Sequence, residues 1–149
     1  MKENNGGDYI YLDDLQIYTI ATSSWANGPS LPSEAKYATA LVLDDNTLLV
    51  AGGETEYSAV ATVAQYTVNT STWGTFPSLP DPQSAGLWGL VSGAYTSSRL
   101  IFVGGWSTTY SDSVYQYDME LSAWDAFANM STPRRYMGSA TVGRPVGRL

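Results

Sequence analysis

The chain has 149 residues, of which 44% are hydrophobic and only 14% are charged, and its formal net charge at pH 7 is −7. This acidic balance disfavours nucleic acid as a partner, because phosphate binding needs a basic surface. The sequence contains no cysteine and no histidine, which excludes disulfides, Ser–His–Asp and Cys–His catalysis, and zinc or copper sites built from these residues.

The sequence shows no segment that would insert into a membrane or direct secretion. No run of ~18 apolar residues occurs, and the start, MKENNGGDYI, lacks the apolar stretch of a secretory signal. We therefore expect no membrane insertion, whereas the localisation of the protein stays open. Glycosylation also stays open at two matches to the acceptor motif, which begin at Asn69 and Asn129.

Short runs of branched and aromatic residues, bounded by glycine or polar turns, predict strands along the whole chain. In residues 1–32, DLQIYTIA and the segment around Trp25 predict the third and fourth strands of an incomplete unit. Residues 33–80 predict four strands, at YATALVL, TLLVA, TVAQYTV and Trp73, with a hairpin turn at Asp44-Asp45-Asn46. Residues 81–132 predict four more, at LWGLVSGAY, RLIFV, SVYQYDM and Trp124. Residues 133–149 predict one further strand, YMGSATV, and a tail.

The predicted units repeat one side-chain pattern. A tyrosine in the third strand is followed seven positions later by a tryptophan that begins the fourth: Tyr18 and Trp25, Tyr66 and Trp73, Tyr117 and Trp124. A glycine pair precedes each tyrosine: Gly6-Gly7, Gly52-Gly53 and Gly104-Gly105. Four short antiparallel strands in about fifty residues are typical of a β-propeller blade. We therefore predict an all-β chain that forms an incomplete β-propeller, with two complete blades and partial blades at both ends.

We assign structural roles to the repeated residues. Large aromatic side chains supply the packing between neighbouring blades, so Trp73 is expected to be buried and Trp88 to lie in the core. Each of the pairs Gly52-Gly53 and Gly104-Gly105 is expected at the end of a strand. One member should adopt a backbone conformation that is costly for other residues.

These residues resemble the kelch-repeat family. LLVAGG at 48–53 with Tyr66 and Trp73 matches the family's pattern of a hydrophobic strand, a glycine pair, a tyrosine and a tryptophan. LIFVGG at 100–105 with Tyr117, Asp118 and Trp124 matches it as well, and TPRR at 132–135 is similar to the Pro-Arg opening of a blade. That opening is absent from LPDPQSAGLW and from LPSEAKY, where Lys36 is the nearest basic residue. The resemblance implies a kelch-type propeller, related by fold only to the galactose-oxidase-like superfamily.

We predict no catalytic, cofactor or metal site in this chain. The resemblance to galactose oxidase would imply a copper held partly by His and Tyr and a Tyr–Cys cross-link, but His and Cys are absent. The adjacent acids Asp13-Asp14 and Asp44-Asp45 lack the spacing of a calcium loop. Neighbours along a strand also point to opposite faces, which argues against joint catalysis.

One face of the predicted propeller carries the candidate binding residues. In an up-and-down blade, the connections between blades and between the second and third strands emerge together, here at 54–59, 80–86, 106–113 and 131–136. Such loops often carry binding residues, and Trp, Tyr and Arg are favoured interface anchors. The candidates are Glu54, Glu56, Tyr57, Trp106, Tyr110, Arg134 and Arg135. For Trp106, packing against a neighbouring blade is an equal alternative.

The leading hypothesis is a protein-interaction module that binds a protein or peptide through this loop face. The alternative is a fragment of a propeller enzyme, galactose-oxidase-like or carbohydrate-active, whose catalytic residues lie outside this chain. A third possibility is self-association of copies that complete one ring, since a closed propeller needs about four to eight blades. The identity of the partner stays open, as does whether the chain is part of a longer protein.

Overall fold

The computed structural model describes residues 2–3, 9–92 and 98–138, and its fold is all-β, as predicted. A short 3₁₀ turn covers Ile20–Thr22, and the described residues contain no α-helix. The strands are β1 (Lys2–Glu3), β2 (Tyr9–Ile10), β3 (Gln16–Thr19), β4 (Ser24–Asn27), β5 (Thr39–Asp44), β6 (Thr47–Ala51), β7 (Val63–Thr67), β8 (Thr72–Phe76), β9 (Leu87–Ser92), β10 (Ser98–Trp106), β11 (Tyr110–Asp118) and β12 (Ala123–Ala126).

Within each sheet, strands that are neighbours along the chain are also neighbours in space. Strands β5 to β8 form one four-stranded antiparallel sheet in chain order, and β9 to β12 form another. Strands β3 and β4 pair with each other, as do β1 and β2. The four-stranded sheets lie inside the predicted units 33–80 and 81–132. The pair β1–β2 was not predicted, because two-residue strands are too short to show a periodic pattern.

The turn between β5 and β6 forms where the acidic cluster predicted it. The N–H of Asn46 donates to Oδ1 of Asp44 at 2.8 Å, so the aspartate side chain satisfies a backbone donor inside the turn. The side-chain oxygen of Asn46 accepts the N–H of Asn69 at 2.8 Å. The interpretation of this segment as a hairpin turn is confirmed.

The repeated tyrosine and tryptophan are direct cross-strand partners. The pairs Tyr18–Trp25, Tyr66–Trp73 and Tyr117–Trp124 lie opposite each other in register. Their ring centres are 5.1, 5.0 and 5.1 Å apart. The turn inside each hairpin also repeats, with left-handed φ angles of 50°, 52° and 52° at Ser23, Ser71 and Ser122. Aromatic cross-strand pairs stabilise a sheet by ~0.2–1 kcal/mol each. Because register and turn are the same in all three units, the spacing of seven corresponds to one hairpin that occurs three times.

The core lies between the two four-stranded sheets. Leu49 of β6 is fully buried in one cluster with Leu100 and Phe102 of β10. The ring of Phe76 in β8 lies 4.7 Å from that of Tyr117. Full burial of a side chain of this size stabilises the fold by ~1.5–3 kcal/mol, so this apolar interface holds the two sheets together.

In each four-stranded sheet, the tryptophan in the last strand contacts the unit before it. The indole N–H of Trp73 donates to the main-chain oxygen of Pro29 at 2.9 Å. The indole N–H of Trp124 donates to the main-chain oxygen of Pro77 at 3.1 Å. Each proline lies four residues after the tryptophan of its own unit, so the same contact joins the first unit to the second and the second to the third.

The burial of the tryptophans differs from the prediction. Tyr66 and Tyr117 are buried, with 5% and 3% of their surface exposed. The prediction of a buried Trp73 is wrong, because β8 is an outermost strand and leaves this side chain half-buried. Tyr18 and Trp25 are 46% and 68% exposed, because no four-stranded sheet precedes their unit in the described residues.

The glycine pairs have left-handed backbone, as predicted. The φ angles are 60° and 101° at Gly52 and Gly53, and 59° and 118° at Gly104 and Gly105. Residues with a Cβ rarely adopt such angles. The first pair follows β6 directly, whereas the second lies inside β10 at a shift in the pairing with β11. The predicted pair Gly6-Gly7 lies outside the described residues.

Strands β10 and β11 run further than predicted. Trp106 is the last residue of β10 and Tyr110 the first of β11, and the two are cross-strand partners. A three-residue turn therefore replaces most of the loop predicted at 106–113. The strand predicted at 136–142 falls largely outside the described residues, as does the side chain of Trp88.

Candidate functional site

A repeated backbone contact joins three equivalent segments, one before each four-stranded sheet and one after the second. Tyr37, Ala85 and Tyr136 precede or follow the sheets at equivalent positions, and their φ angles of 58°, 52° and 55° are all left-handed. The N–H of Ala85 donates to the oxygen of Tyr37 at 2.8 Å, and the N–H of Tyr136 donates to the oxygen of Ala85 at 3.0 Å. The residues beside these bonds therefore lie close together. We call the region around Tyr37, Ala85 and Tyr136 the edge.

Short β-bridges hold the ends of two of the predicted binding loops at the same edge. Glu54 and Lys36 exchange backbone hydrogen bonds of 2.8 and 3.0 Å, and Ser84 and Trp106 exchange bonds of 2.7 and 2.8 Å. These bridges fix the positions of Glu54 and Trp106, two of the predicted binding residues, beside the starts of the sheets.

Arg135 lies among three aromatic rings. Its guanidinium carbon is 4.7 Å from the ring centre of Tyr136, 5.1 Å from that of Tyr110 and 5.8 Å from that of Trp106. Tyr110 and Tyr136 are exposed. Each cation–π contact at such a site stabilises the arrangement by ~0.5–1 kcal/mol. We call Trp106, Tyr110, Arg135 and Tyr136 the aromatic cluster.

A second cation lies next to the aromatic cluster. Nζ of Lys36 is 3.0 Å from Oε1 of Glu54 and 5.2 and 5.5 Å from the ring centres of Tyr11 and Tyr37. The hydrogen bonds with Glu54 and then with Tyr11 raise the pKa of Lys36 above its usual value, so it is charged at neutral pH. The rings of Tyr37 and Tyr136 meet edge to face, 5.6 Å apart, which connects this group to the cluster.

Two cations at this edge, Arg134 and Arg135, have no acidic partner among the described residues. Among the described residues, the ion pairs are Lys36–Glu54 and Arg99–Asp118. Neither Arg134 nor Arg135 forms an ion pair with a described residue. In a chain of net charge −7, two guanidinium groups that form no ion pair with a described residue favour the approach of an anion. They border a shallow pocket of about 360 Å³, lined by Tyr110, Pro133, Arg134, Arg135, Tyr136 and Met137.

Three of the predicted binding residues contact one another here. Trp106 and Tyr110 both contact Arg135, which opens the next unit, and Glu54 lies at the same edge through its pair with Lys36. Arg134 lines the pocket, and its main-chain oxygen accepts the N–H of Gly105 at 2.8 Å.

The two other predicted binding residues lie apart from this group. Glu56 and Tyr57 are exposed at the tip of the loop that follows Glu54. Tyr57 has a backbone contact with Thr55, whose Oγ1 accepts its N–H at 3.4 Å. Neither side chain has a hydrogen bond, ion pair or ring contact with the cluster within the described residues.

Sequence reasoning missed four residues of this edge: Tyr11, Lys36, Tyr37 and Tyr136. A signal was present for three of them, because the dipeptides Lys36-Tyr37 and Arg135-Tyr136 have the same basic-tyrosine pattern. In the structure these dipeptides occupy equivalent places, so the counterpart of Lys36 is Arg135. The position of Tyr11 depends on tertiary contacts that no local pattern encodes.

The edge offers ring faces and guanidinium groups as binding surfaces. In the part of the chain that the structure describes, no group of three or more His, Cys, Asp or Glu side chains could hold a metal ion. The same residues form no helix of the length and apolarity needed to cross a membrane. No family model matches the chain, and no curated protein matches it either.

Proposed function

We propose that this chain is a segment of a kelch-type β-propeller and acts as a protein-interaction module, without catalytic activity of its own. Two four-stranded antiparallel sheets in chain order, packed through one apolar core, support the propeller. The three Tyr–Trp hairpins and the left-handed glycine pairs support the same interpretation. The binding surface of the module is the edge that holds the aromatic cluster.

We propose further that the partner presents an acidic segment to the aromatic cluster. The observation that carries this proposal is Arg135, which lies among three rings and has no acidic partner in the described residues. Contact with ring faces leaves the N–H edge of a guanidinium for bidentate hydrogen bonds to a carboxylate. Tyr110 and Tyr136 add the exposed aromatic area that anchors protein interfaces.

Fluorescence polarisation with labelled peptides tests this function. The probes are peptides in which a Tyr or Trp lies among Asp and Glu residues, and matched peptides in which Asn and Gln replace the acids. We expect the acidic peptides to bind ~10-fold or more tightly than the neutral ones, because a hydrogen bond to a charged group contributes ~1.5–3 kcal/mol. Binding should weaken as salt is added, since the contact is partly exposed.

Variants of Arg135 separate its charge from its geometry. Arg135→Gln should reduce the affinity for acidic peptides to that for neutral peptides. Arg135→Lys should restore only part of it, because lysine keeps the charge and loses the planar fork. Arg99→Gln is the matched control, since it removes the same charge from a residue already paired with Asp118. Equal affinities for acidic and neutral peptides, or equal losses in Arg99→Gln and Arg135→Gln, would contradict the proposal.

A further inference from the structure

The hydrogen bond from a tryptophan to the preceding unit occurs twice inside the chain. The first unit exposes a tryptophan that could donate such a bond, and the last unit exposes an oxygen position that could accept one. Between units, a tryptophan N–H donates to the main-chain oxygen that lies four residues after the tryptophan of the preceding unit, at 2.9 and 3.1 Å. In the first unit, Trp25 is 68% exposed and makes no hydrogen bond with a described residue. In the last unit, the residue in the acceptor position is Ala128, which is also exposed.

A ring contact between units also has exposed counterparts in the first and last units. Phe76 packs against Tyr117 of the following unit, with ring centres 4.7 Å apart. Phe127 holds in the last unit the position that Phe76 holds in the unit before, and it is 53% exposed. Tyr18 holds in the first unit the position of Tyr117, and it is 46% exposed instead of buried. Each end therefore has one ring that lacks the packing found inside the array.

The charges at the two ends do not oppose contact between them. The strands that carry Tyr18 and Trp25 have the sequences QIYT and SWAN, which contain no charged residue. The opposite end carries Asp125, two residues before Phe127 and on the same side of the chain. Asp125 therefore meets no like charge from these two strands, whereas like charges in direct contact would be strongly unfavourable.

We propose that copies of this chain associate head to tail through these two ends. The indole N–H of Trp25 in one copy donates to the main-chain oxygen of Ala128 in a second copy, and Phe127 of the second packs on Tyr18 of the first. A second copy is the occupant because this one chain carries both halves of the contact and already repeats it internally. The proposal is independent of the acidic partner, since neither end includes the aromatic cluster.

Head-to-tail contact at both ends of two copies closes a ring with two-fold symmetry. Each copy contributes two four-stranded sheets and the pair β3–β4. Two copies together then fall within the range of about four to eight blades found in closed propellers. The expected species is therefore a dimer.

Sedimentation equilibrium over a range of protein concentrations tests the association. We expect a dimer that weakens roughly tenfold or more in Trp25→Ala and in Phe127→Ala, as for central aromatic residues of interfaces. Trp25→Phe, which keeps a ring opposite Tyr18 and removes only the N–H, should weaken it by a smaller factor. Tyr57→Ala removes an even more exposed aromatic ring, away from both ends, and should leave the dimer unchanged.

A mixture of the two alanine variants tests the head-to-tail geometry. Trp25→Ala retains the Phe127 end, and Phe127→Ala retains the Trp25 end, so an equimolar mixture should form a complex through one intact contact. Two fluorescent labels report this complex by energy transfer, and thermal unfolding of each variant alone shows that it is folded. Three results would each overturn the proposal: a monomer at every concentration, a dimer that survives both substitutions, or no complex between two folded variants.

Discussion

The indole N–H of Trp124 donates to the main-chain oxygen of Pro77 at 3.1 Å, and Trp73 makes the same bond to Pro29 at 2.9 Å. Each bond runs from the outermost strand of one sheet to the segment that follows the outermost strand of the preceding unit. The apolar core holds the sheets together nearer their middle strands. The tryptophan bonds therefore fix how the outer parts of neighbouring units meet.

Replacing Trp73 by phenylalanine should lower the free energy of unfolding by about 0.5–1.5 kcal/mol, because a part-buried hydrogen bond is lost and the oxygen of Pro29 loses its donor. Trp25→Phe is the matched control, since this tryptophan makes no such bond within the described residues. Urea unfolding at a concentration where the protein is monomeric measures both variants. A loss in Trp25→Phe as large as that in Trp73→Phe would show that the bond contributes nothing specific.

Gly52→Ala should destabilise the fold by at least ~2 kcal/mol, because it combines a left-handed backbone with overpacking. The φ angle of Gly52 is 60°, and a Cβ there would overlap the main-chain oxygen of Gln83. A backbone oxygen cannot rotate away as a flexible side chain can.

Gly74→Ala is the control for that substitution. In β8 the nearest atom to an added Cβ is 4.0 Å away, so alanine should be neutral or slightly stabilising there. Thermal unfolding compares the two variants. Similar melting temperatures for Gly52→Ala and Gly74→Ala would contradict the role assigned to the glycine pair.

The hairpins and the glycine conformations could be predicted because each depends on residues close in sequence. A spacing of seven between Tyr66 and Trp73 suffices for one hairpin. A glycine pair after a hydrophobic run suffices for left-handed backbone at that pair. The half-burial of Trp73 could not be predicted in the same way, because it depends on which strand lies outermost and on what packs over it.

The contacts within the aromatic cluster could not be predicted from the sequence. Trp106, Tyr110 and Arg135 were candidates as residue types favoured at interfaces, and their contact depends on the backbone bonds that link successive units. The contact between Tyr37 and Tyr136 joins residues from distant parts of the chain, and it depends on how the units pack against each other. For Lys36, Tyr37 and Tyr136 the repeated basic-tyrosine dipeptides were a signal that the sequence analysis did not use.

Acid should weaken the fold through Asp118. The N–H groups of Leu121 and Glu120 donate to Oδ1 of Asp118 at 3.0 and 2.9 Å and lower the pKa of this carboxyl group, and Arg99 at 3.6 Å adds to the effect. The folded pKa therefore lies below the unfolded value of ~3.9. The ionised carboxylate stabilises the fold above that unfolded value, and its contribution is lost as the pH falls through the folded pKa.

Asp118→Asn should accordingly lower the melting temperature near neutral pH, and the difference from the wild type should disappear in strong acid. Asp45→Asn removes the same charge from an exposed position in the turn between β5 and β6 and controls for net charge. Melting temperatures measured in a series of buffers from neutral to acidic pH provide the comparison. A difference between wild type and Asp118→Asn that stays constant across the series would rule out this carboxylate as a source of acid sensitivity.

Alkaline conditions should weaken the fold through Tyr115. Its hydroxyl donates to Oδ2 of Asp81, in the segment that joins the two four-stranded sheets. Burial raises the pKa of Tyr115, and the bond to Asp81 raises it further. Because the folded pKa lies above the unfolded value of ~10, the stabilisation is fully present below that value and is lost as the pH rises through the folded pKa.

Tyr115→Phe should lower the free energy of unfolding by about 1 kcal/mol near neutral pH, since one side-chain hydrogen bond is removed. Above pH ~10 the wild type should lose the stabilisation from this hydrogen bond, which the variant lacks at every pH. The free energies of unfolding of the two proteins should therefore converge. Tyr57→Phe, at an exposed position, removes a hydroxyl without this bond and should follow the wild type at every pH. Urea unfolding of the three proteins from neutral to alkaline pH measures the effect. If wild type and Tyr115→Phe lose stability in parallel, the bond between Tyr115 and Asp81 does not tie the two sheets together.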